Sequence, residues 1–363
     1  MKLGILTFHS AHNYGATLQA YGLYKYLEQQ GHETCVIDYR PDYITNTYLK
    51  DGCRQWLSRN VVLCIKRLLY YIRYRRIRHK RWERFNQFIN TRFNFYLYSQ
   101  NDDFSYFDAV FIGSDQVWSP YHTGGQYDPV MFGKGFKCKV ISYAPSTSQA
   151  ELNDEQKKVL KELLQNVTCI STREDKFKDL LMPLTGKSIS VVVDPTLLAG
   201  RRVFDKIAAP VHRSKPYILV YEIKPHQEVY EKAQSLAKQL NADIVELTNG
   251  MLGYHRDTMD EAASPEMFLG YIKNAACVVT TSFHGTAFSL LFHTPFYVVQ
   301  QGNDADIRME SLLGFLNLKN RFIKMIDSPV FTAVDMDNAD VTLQALRETS
   351  QNFIIENLSE LCS

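Results

Sequence analysis

At 363 residues the chain is long enough for two domains, each with its own core. Hydrophobic residues make up 45% and charged residues 22%, with a net charge of only +2, the composition of an ordinary globular protein rather than a disordered or collagen-like one. No apolar run approaches the ~20 residues needed to cross a bilayer.

Met1–Phe8 carries one lysine and a short apolar run that His9–Asn13 interrupts, too short for a secretory leader, and it reads as a buried first strand. Strand then alternates with helix, which predicts an α/β fold with parallel sheets. Leu3–Phe8 is strand-like, Tyr14–Gln30 helical up to Gly31, and Thr34–Tyr39 a second strand. Residues 50–100 break the rhythm with basic and aromatic helical stretches and read as an insertion. Strands resume at Ala109–Gly113 and Lys139–Tyr143, followed by a helix at Asn153–Gln165 and short strands at Val167–Ser171 and Ser188–Val193.

Ala199–Lys215 looks like a linker, and a second alternating series begins beyond it. Its strands are Tyr217–Ile223, Asp243–Leu247, Cys277–Thr281 and Phe296–Gln300. Its helices are Gln227–Leu240, Pro265–Asn274 with Ser264 as N-cap, Thr286–Phe292 and Ala305–Phe315. A last helix at Val341–Leu358 is expected to pack back on the first domain. The predicted organisation is therefore two Rossmann-like doubly wound domains in tandem, at 1–200 and 210–335, with a closing helix at 340–363. Ligands of such sheets bind at the carboxyl ends of the strands, so the loops there carry the reading.

Three loops stand out. His9–Ala16 joins the first strand to the first helix, where free N–H groups suit an anion or a polar substrate; equally, Asn13 simply caps the helix and Gly15 relieves crowding. The loop has neither a G-x-G-x-x-G pattern nor a Walker lysine. In Gly113-Ser114-Asp115-Gln116-Val117-Trp118, Asp115 suits a base for a sugar hydroxyl and Trp118 a stacking surface, or the first is a cap and the second core. In Thr281-Ser282-Phe283-His284-Gly285-Thr286, His284 sits at a strand tip beside a helix N-terminus, which suits proton transfer, and Gly285 permits close backbone approach. Arg173, at another strand end, can fork onto a carboxylate or phosphate or pair with Glu174 or Asp175. Arg308 and Arg321 flank the last helix of the second domain.

At these residues the chain resembles the polysaccharide pyruvyl transferase family, in the branch with an S-F-H-G-T-A-F-S motif. The matching pieces are Gly4–Phe8 with Asn13–Tyr21, Gly113–Trp118, Ile141–Ser146, Ser171–Asp175, Asp194–Leu198 and Ser282–Ser289. The resemblance implies a fold like the B-type glycosyltransferases and a transferase that uses phosphoenolpyruvate as donor, without other cofactor or metal. The product is a pyruvate ketal on two hydroxyls of one sugar in a polysaccharide or its precursor, lipid-linked or not, with release of phosphate. The family's donor arginine and histidine carry over to Arg173 and His284. Loop position adds Ser282, Gly285, Thr286 and Arg308 on the donor side, Asp115 as catalytic base, and His12, Asn13, Tyr14, Gly15, Gln116 and Trp118 on the acceptor side. Relatives with established activity often carry an arginine where this chain has Ser282, so either another cation, with Arg308 the candidate, replaces it or the donor is bound differently. Two other readings stand beside this one: a nucleotide-sugar glycosyltransferase of the same fold, and a non-catalytic scaffold of glycan assembly.

Charge and cysteines bear on location. Of 41 basic and 39 acidic residues, nine basic and one acid (Glu83) lie between Lys66 and Arg84, leaving 32 against 38, a net of −6, elsewhere. That segment interleaves its cations with apolar and aromatic residues and suits an anionic membrane surface, with a solvated helix as the bland alternative. Nucleic acid is not expected as a partner, since nothing else in the chain supports it. The seven cysteines (Cys35, Cys53, Cys64, Cys138, Cys169, Cys277 and Cys362) are scattered, odd in number and without a C-x-x-C pair. They fit a reduced cytoplasmic setting without structural zinc, with the enzyme peripheral on the inner face of the membrane.

Overall fold

The computed structural model describes residues 1–47, 61–121, 123–248 and 256–361. Cys53, Cys362 and the first part of the 50–100 insertion lie outside the described residues. The first half runs β1 (Lys2–Leu6), α1 (Tyr14–Gln29), β2 (Glu33–Ile37), α2 (Asp42–Thr45), α3 (Val61–Arg92), β3 (Phe95–Tyr96), β4 (Ala109–Ile112), β5 (Lys139–Ser142), α4 (Asp154–Leu163), β6 (Ile170–Thr172), α5 (Asp175–Leu181), β7 (Ile189–Val191), α6 (Pro195–Ala199) and α7 (Arg201–Asp205). Five of these strands form a parallel sheet ordered β3-β2-β1-β4-β5. The β6-β7 pair extends its edge through a bridge between Ile141 and Cys169.

The second half runs β8 (Tyr217–Glu222), α8 (Gln227–Leu240), β9 (Asp243–Thr248), α9 (Pro265–Asn274), β10 (Cys277–Thr280), α10 (Phe283–Phe292), β11 (Phe296–Val299), α11 (Asp306–Phe315) and β12 (Phe322–Ile323), closed by α12 (Asp337–Ser359). Its parallel sheet is ordered β12-β11-β10-β8-β9. β4, β10 and β11, apolar but for Thr280, are buried at every residue, as parallel strands covered on both faces require. The protein is thus an α/β chain of two tandem Rossmann-like sheets. Strand order reverses between β1 and β4 in one sheet and between β8 and β10 in the other. The loops after these four strands line the crevices where ligands of such sheets bind.

Local chemistry explains most element boundaries. Asn153 and Gln156 form a reciprocal capping box that starts α4. Ser264, with Pro265 behind it, starts α9. Ser282 caps α10, so that helix begins at Phe283, a turn earlier than the apolar pattern alone predicts. The expected linker at Ala199–Lys215 holds α7, which buries Val203 and Phe204.

The apolar core is not divided as the sequence leads one to expect. One cluster runs without a break from Leu3, Tyr14 and Leu18 through Phe204 to Tyr221, Phe268 and Phe288. Tyr14 stacks on Phe268 with ring centroids 4.6 Å apart and donates to Ala263 O at 3.0 Å. Phe204 stands edge-on to Tyr21 and to Phe288. Separate clusters fill the remaining faces, around Phe111's neighbours Val110 and Ile112 in one sheet and around Val220 and Val279 in the other. α12 returns to the first sheet, where Ser350 Oγ accepts from Val193 N and Lys139 donates to Asn357 O.

Phe268→Ala should therefore lower unfolding free energy by about 3–5 kcal/mol in urea titration. Because the core is shared, the loss should appear as one shifted transition rather than as the melting of the second domain alone.

Candidate active site

Asp194 ends the chain segment after β7 and lies at the centre of the cleft, 1% exposed. Its Oδ1 accepts from the backbone N and the hydroxyl of Thr196, at 2.9 and 2.8 Å, which caps α6. Its Oδ2 accepts from Arg173 Nη1 at 2.8 Å, with Ser114 Oγ at 3.2 Å and His284 Nε2 at 3.5 Å. Burial by itself disfavours this charge. His284, Arg173 and the backbone N–H of Thr196 outweigh it and hold the carboxyl well below the usual carboxylate range.

Arg173, from the loop between β6 and α5, uses its whole fork inside the protein. Nε donates to Glu174, Nη1 to Asp194 and Nη2 to Ser146, each at 2.8 Å, and the Phe283 ring covers the guanidinium at 4.0 Å. Burial opposes its charge, yet Glu174 and Asp194 raise its pKa above the free value. This pair of ion pairs is fully desolvated, so removing either acid leaves a buried unpaired charge.

His284 sits in the first turn of α10, 6% exposed. Its ring packs against Gly15 at the start of α1. A Cβ added there would stand 2.1 Å from Nδ1, so no other residue fits. Gly285 is held in the same way against Thr280 Oγ1 and Tyr221. The two loops singled out in the sequence therefore meet across the two sheets. Arg308, on α11, reaches the same place. It lines a cavity of about 30 Å³ together with Arg173, Glu174, Asp194 and Phe283. Burial, and then the neighbouring Arg173, lowers its pKa. Three buried polar atoms here have no hydrogen-bond partner among the described residues: Glu174 Oε2, His284 Nε2 and Arg308 Nε. Such atoms are costly to leave unpaired, and their convergence marks a place built to meet something else.

Other expected residues have local duties instead. Trp118 was a candidate stacking surface, but its ring is buried against Phe132 at 4.7 Å and donates to Met131 O, so no sugar reaches it. Tyr14 is fully buried in the seam between the domains. Asn13 caps α1 by accepting from Gly15 N and Ala16 N. Ser282 accepts from Gly285 N, and Thr286 Oγ1 donates to Ser282 O, so both hydroxyls serve the helix itself. Asp115 is half-buried in a left-handed conformation (φ 65°), near enough to bear on the charges of Arg173 and Arg308. Gln116 beside it accepts from Ser148 Oγ at 3.3 Å. His12 stacks on Phe85 and is lowered to about 4, first by burial and then by Arg81.

Sequence reasoning missed Asp194, Glu174 and one further feature. At the carboxyl end of β2, Tyr39, Tyr43, Tyr98 and Tyr127 surround Asp128 in an open groove of about 690 Å³. Tyr39 and Tyr43 both donate to Asp128 Oδ2, at 2.8 and 2.7 Å. Burial and that carboxylate push both phenols up, so they stay protonated as donors. The groove adjoins the loop after β1 through the edge contact of Tyr43 with Phe8. Aromatic spacing in the sequence was a signal, but 22 tyrosines and 21 phenylalanines gave it no address.

The family model described as polysaccharide pyruvyl transferase matches residues 13–303, most of the chain. The chain belongs to this family. Membership makes it a transferase of polysaccharide biosynthesis. None of the curated proteins matches it. Among solved structures it is similar to the S. aureus MnaA–UDP co-structure, at 12% identity over 99% of this chain and 97% of that one, with TM-score 0.49. It is also similar to a UDP-N-acetylglucosamine 2-epimerase from Rickettsia bellii (11%, 99% and 97%, TM-score 0.49) and to Arabidopsis thaliana UGT89C1 (9%, 100% and 99%, TM-score 0.45). Likenesses this distant say nothing of the chemistry. In the family member described here, the motif histidine stands on a glycine of the other domain.

Two outcomes test this site. Gly15→Ala should destabilise the protein by more than 1 kcal/mol, and the same substitution in a His284→Ala background should cost clearly less, because the clash is gone; a double-mutant cycle measures the coupling. His12 is held below its free value, so its contribution to stability is full above pH ~6.5 and declines as pH falls toward 4. His12→Asn should flatten that part of the pH–stability curve in thermal melts.

Proposed function

We propose that this transferase moves the enolpyruvyl group of phosphoenolpyruvate onto two hydroxyls of one sugar of a glycan, forming a pyruvate ketal and releasing phosphate. The observation that carries the reading is the convergence of Glu174 Oε2 and Arg308 Nε, both buried without a hydrogen-bond partner among the described residues, with His284 Nε2, which is held only by its 3.5 Å approach to Asp194. Family membership supplies the reaction class.

In this reading Arg308 stands in for the arginine that Ser282 replaces. It is the cation of the cleft whose Nε is buried and uncommitted, and a carboxylate or phosphate would relieve its repulsion from Arg173. Arg173, committed to two acids, holds the cleft's shape and adds positive potential rather than a fresh donor. The cavity of about 30 Å³ has room for about two waters, so donor entry requires Phe283 and Arg308 to swing aside.

His284, oriented by Asp194, delivers a proton to the methylene carbon, and positive charge develops on the carbon that bears the phosphate. A sugar hydroxyl attacks that carbon while Asp115 takes its proton. The second hydroxyl then attacks and its proton returns to His284, the carbon–oxygen bond to phosphate breaks with phosphate leaving, and the ketal closes. The acceptor lies in the tyrosine groove, whose rings offer stacking faces and whose phenols offer hydrogen bonds. No cofactor takes part.

Incubation with phosphoenolpyruvate and candidate glycans, followed by mass spectrometry and phosphate release, tests the reading. The expected result is one ketal-linked pyruvate per phosphate, reduced about 10²-fold or more in His284→Ala and strongly in Arg308→Ala. Near wild-type transfer by His284→Ala would overturn the assignment. Thermal stabilisation by a nucleoside diphosphate, with none by phosphoenolpyruvate, would point instead to a nucleotide-sugar enzyme.

A further inference from the structure

α3 is 32 residues long, and its two halves face opposite ways. The second half is fastened to the body: Arg81, Phe85, Phe88 and Ile89 are buried, and Arg81 donates to Tyr14 Oη and to His12 O. The first half presents Val61, Val62, Ile65, Leu68, Leu69 and Ile72 to solvent, each between 43% and 69% exposed. At about 100° per residue these six fall on one arc roughly 120° wide, and the buried residues of the second half centre on roughly the opposite side. The exposed stripe is therefore not a continuation of the core-facing one. Further along the same helix the outward positions change character: Arg73, Arg75, Arg76 and Lys80 are exposed.

We infer that this half of α3 lies on an anionic lipid surface, its apolar arc sunk at the level of the acyl chains and its cations among the headgroups. An apolar arc this size is costly to leave in water, and no helix among the described residues is long and apolar enough to cross a bilayer, so the helix lies in the plane. The charge beside the stripe selects the partner. A second copy of the chain would bring the same cations, whereas a surface of anionic headgroups supplies the opposite charge. The rest of the chain, at net −6, is held off that surface by the same field. Because Arg81 ties α3 to the loop that carries His12 and Tyr14, a docked helix sets the cleft at a fixed height above the lipid. That placement suits an acceptor glycan carried on a lipid.

Co-sedimentation of the full chain with vesicles tests the inference. The protein should pellet with phosphatidylcholine vesicles containing phosphatidylglycerol, not with phosphatidylcholine alone, and high salt should release it. Arg73→Glu/Arg75→Glu/Arg76→Glu should weaken partitioning on the order of tenfold or more. Leu68→Asp/Leu69→Asp should do the same, and neither variant should change the melting temperature, since all five side chains are exposed. Failure to pellet with anionic vesicles, or equal pelleting of the variants, overturns it. So does light scattering that shows a dimer which Leu68→Asp/Leu69→Asp converts to monomer, because the stripe would then belong to a second copy.

Discussion

Asp194 keeps a negative charge where almost no water reaches, and the cleft is arranged around the cost of doing so. One oxygen closes the start of α6 and the other faces Arg173 and His284. Arg173 is in turn balanced by Glu174, and both share Ser146. A desolvated group of this kind is stable only as a whole, since deleting one member strands the next. It also has a remainder. After the internal hydrogen bonds are made, one oxygen of Glu174 and one nitrogen of Arg308 have no partner among the described residues, and His284 Nε2 has only its 3.5 Å approach to Asp194. The internal pairings hold these groups in place and leave Glu174 and Arg308 lining one small cavity.

The shared core determines how that cleft moves. Two tandem parallel α/β domains are often pictured as halves joined by a linker, each free to rotate. Here Tyr14 is stacked on Phe268 and His284 presses on Gly15, so α1 of the first sheet and α9 and α10 of the second are packed into one apolar seam. Side-chain movement of Phe283 and Arg308 then costs less than opening the seam, because it breaks a few contacts instead of a core.

The cleft, the tyrosine groove and α3 are linked through the loop after β1. Phe8 touches Tyr43 of the groove, Gly15 supports His284, and His12 and Tyr14 receive Arg81 of α3. A glycan in the groove, a donor against Arg308 and a surface under α3 would all bear on the same eight residues. This gives the basic insertion a mechanical connection to the chemistry that its position in the chain, far from the histidine motif, does not suggest.

Much of this was legible in the residues themselves. Alternation of apolar runs with helical stretches, the caps at Asn13 and Ser264, and the six motifs in series identified the α/β class and the family and directed attention to His284. These signals are local: period and cap chemistry depend on neighbours a few positions away. The convergence of Asp194 with Arg173 and His284, 21 and 90 positions distant, was decided only by strand order and by the packing of one sheet's loops on the other's. Asp194 before Pro195 announces a helix cap, and nothing nearby says that its second oxygen carries the site. Trp118 fails in the other direction, since its loop position suggested a sugar surface and the depth at which Phe132 meets it is a property of the folded core. What the sequence by itself determined, then, was the main alternation of strands and helices and which loops lie at strand ends. Which polar atoms remain unpaired when those loops meet was decided by the tertiary structure, because burial and pairing are properties of contacts between distant parts of the chain.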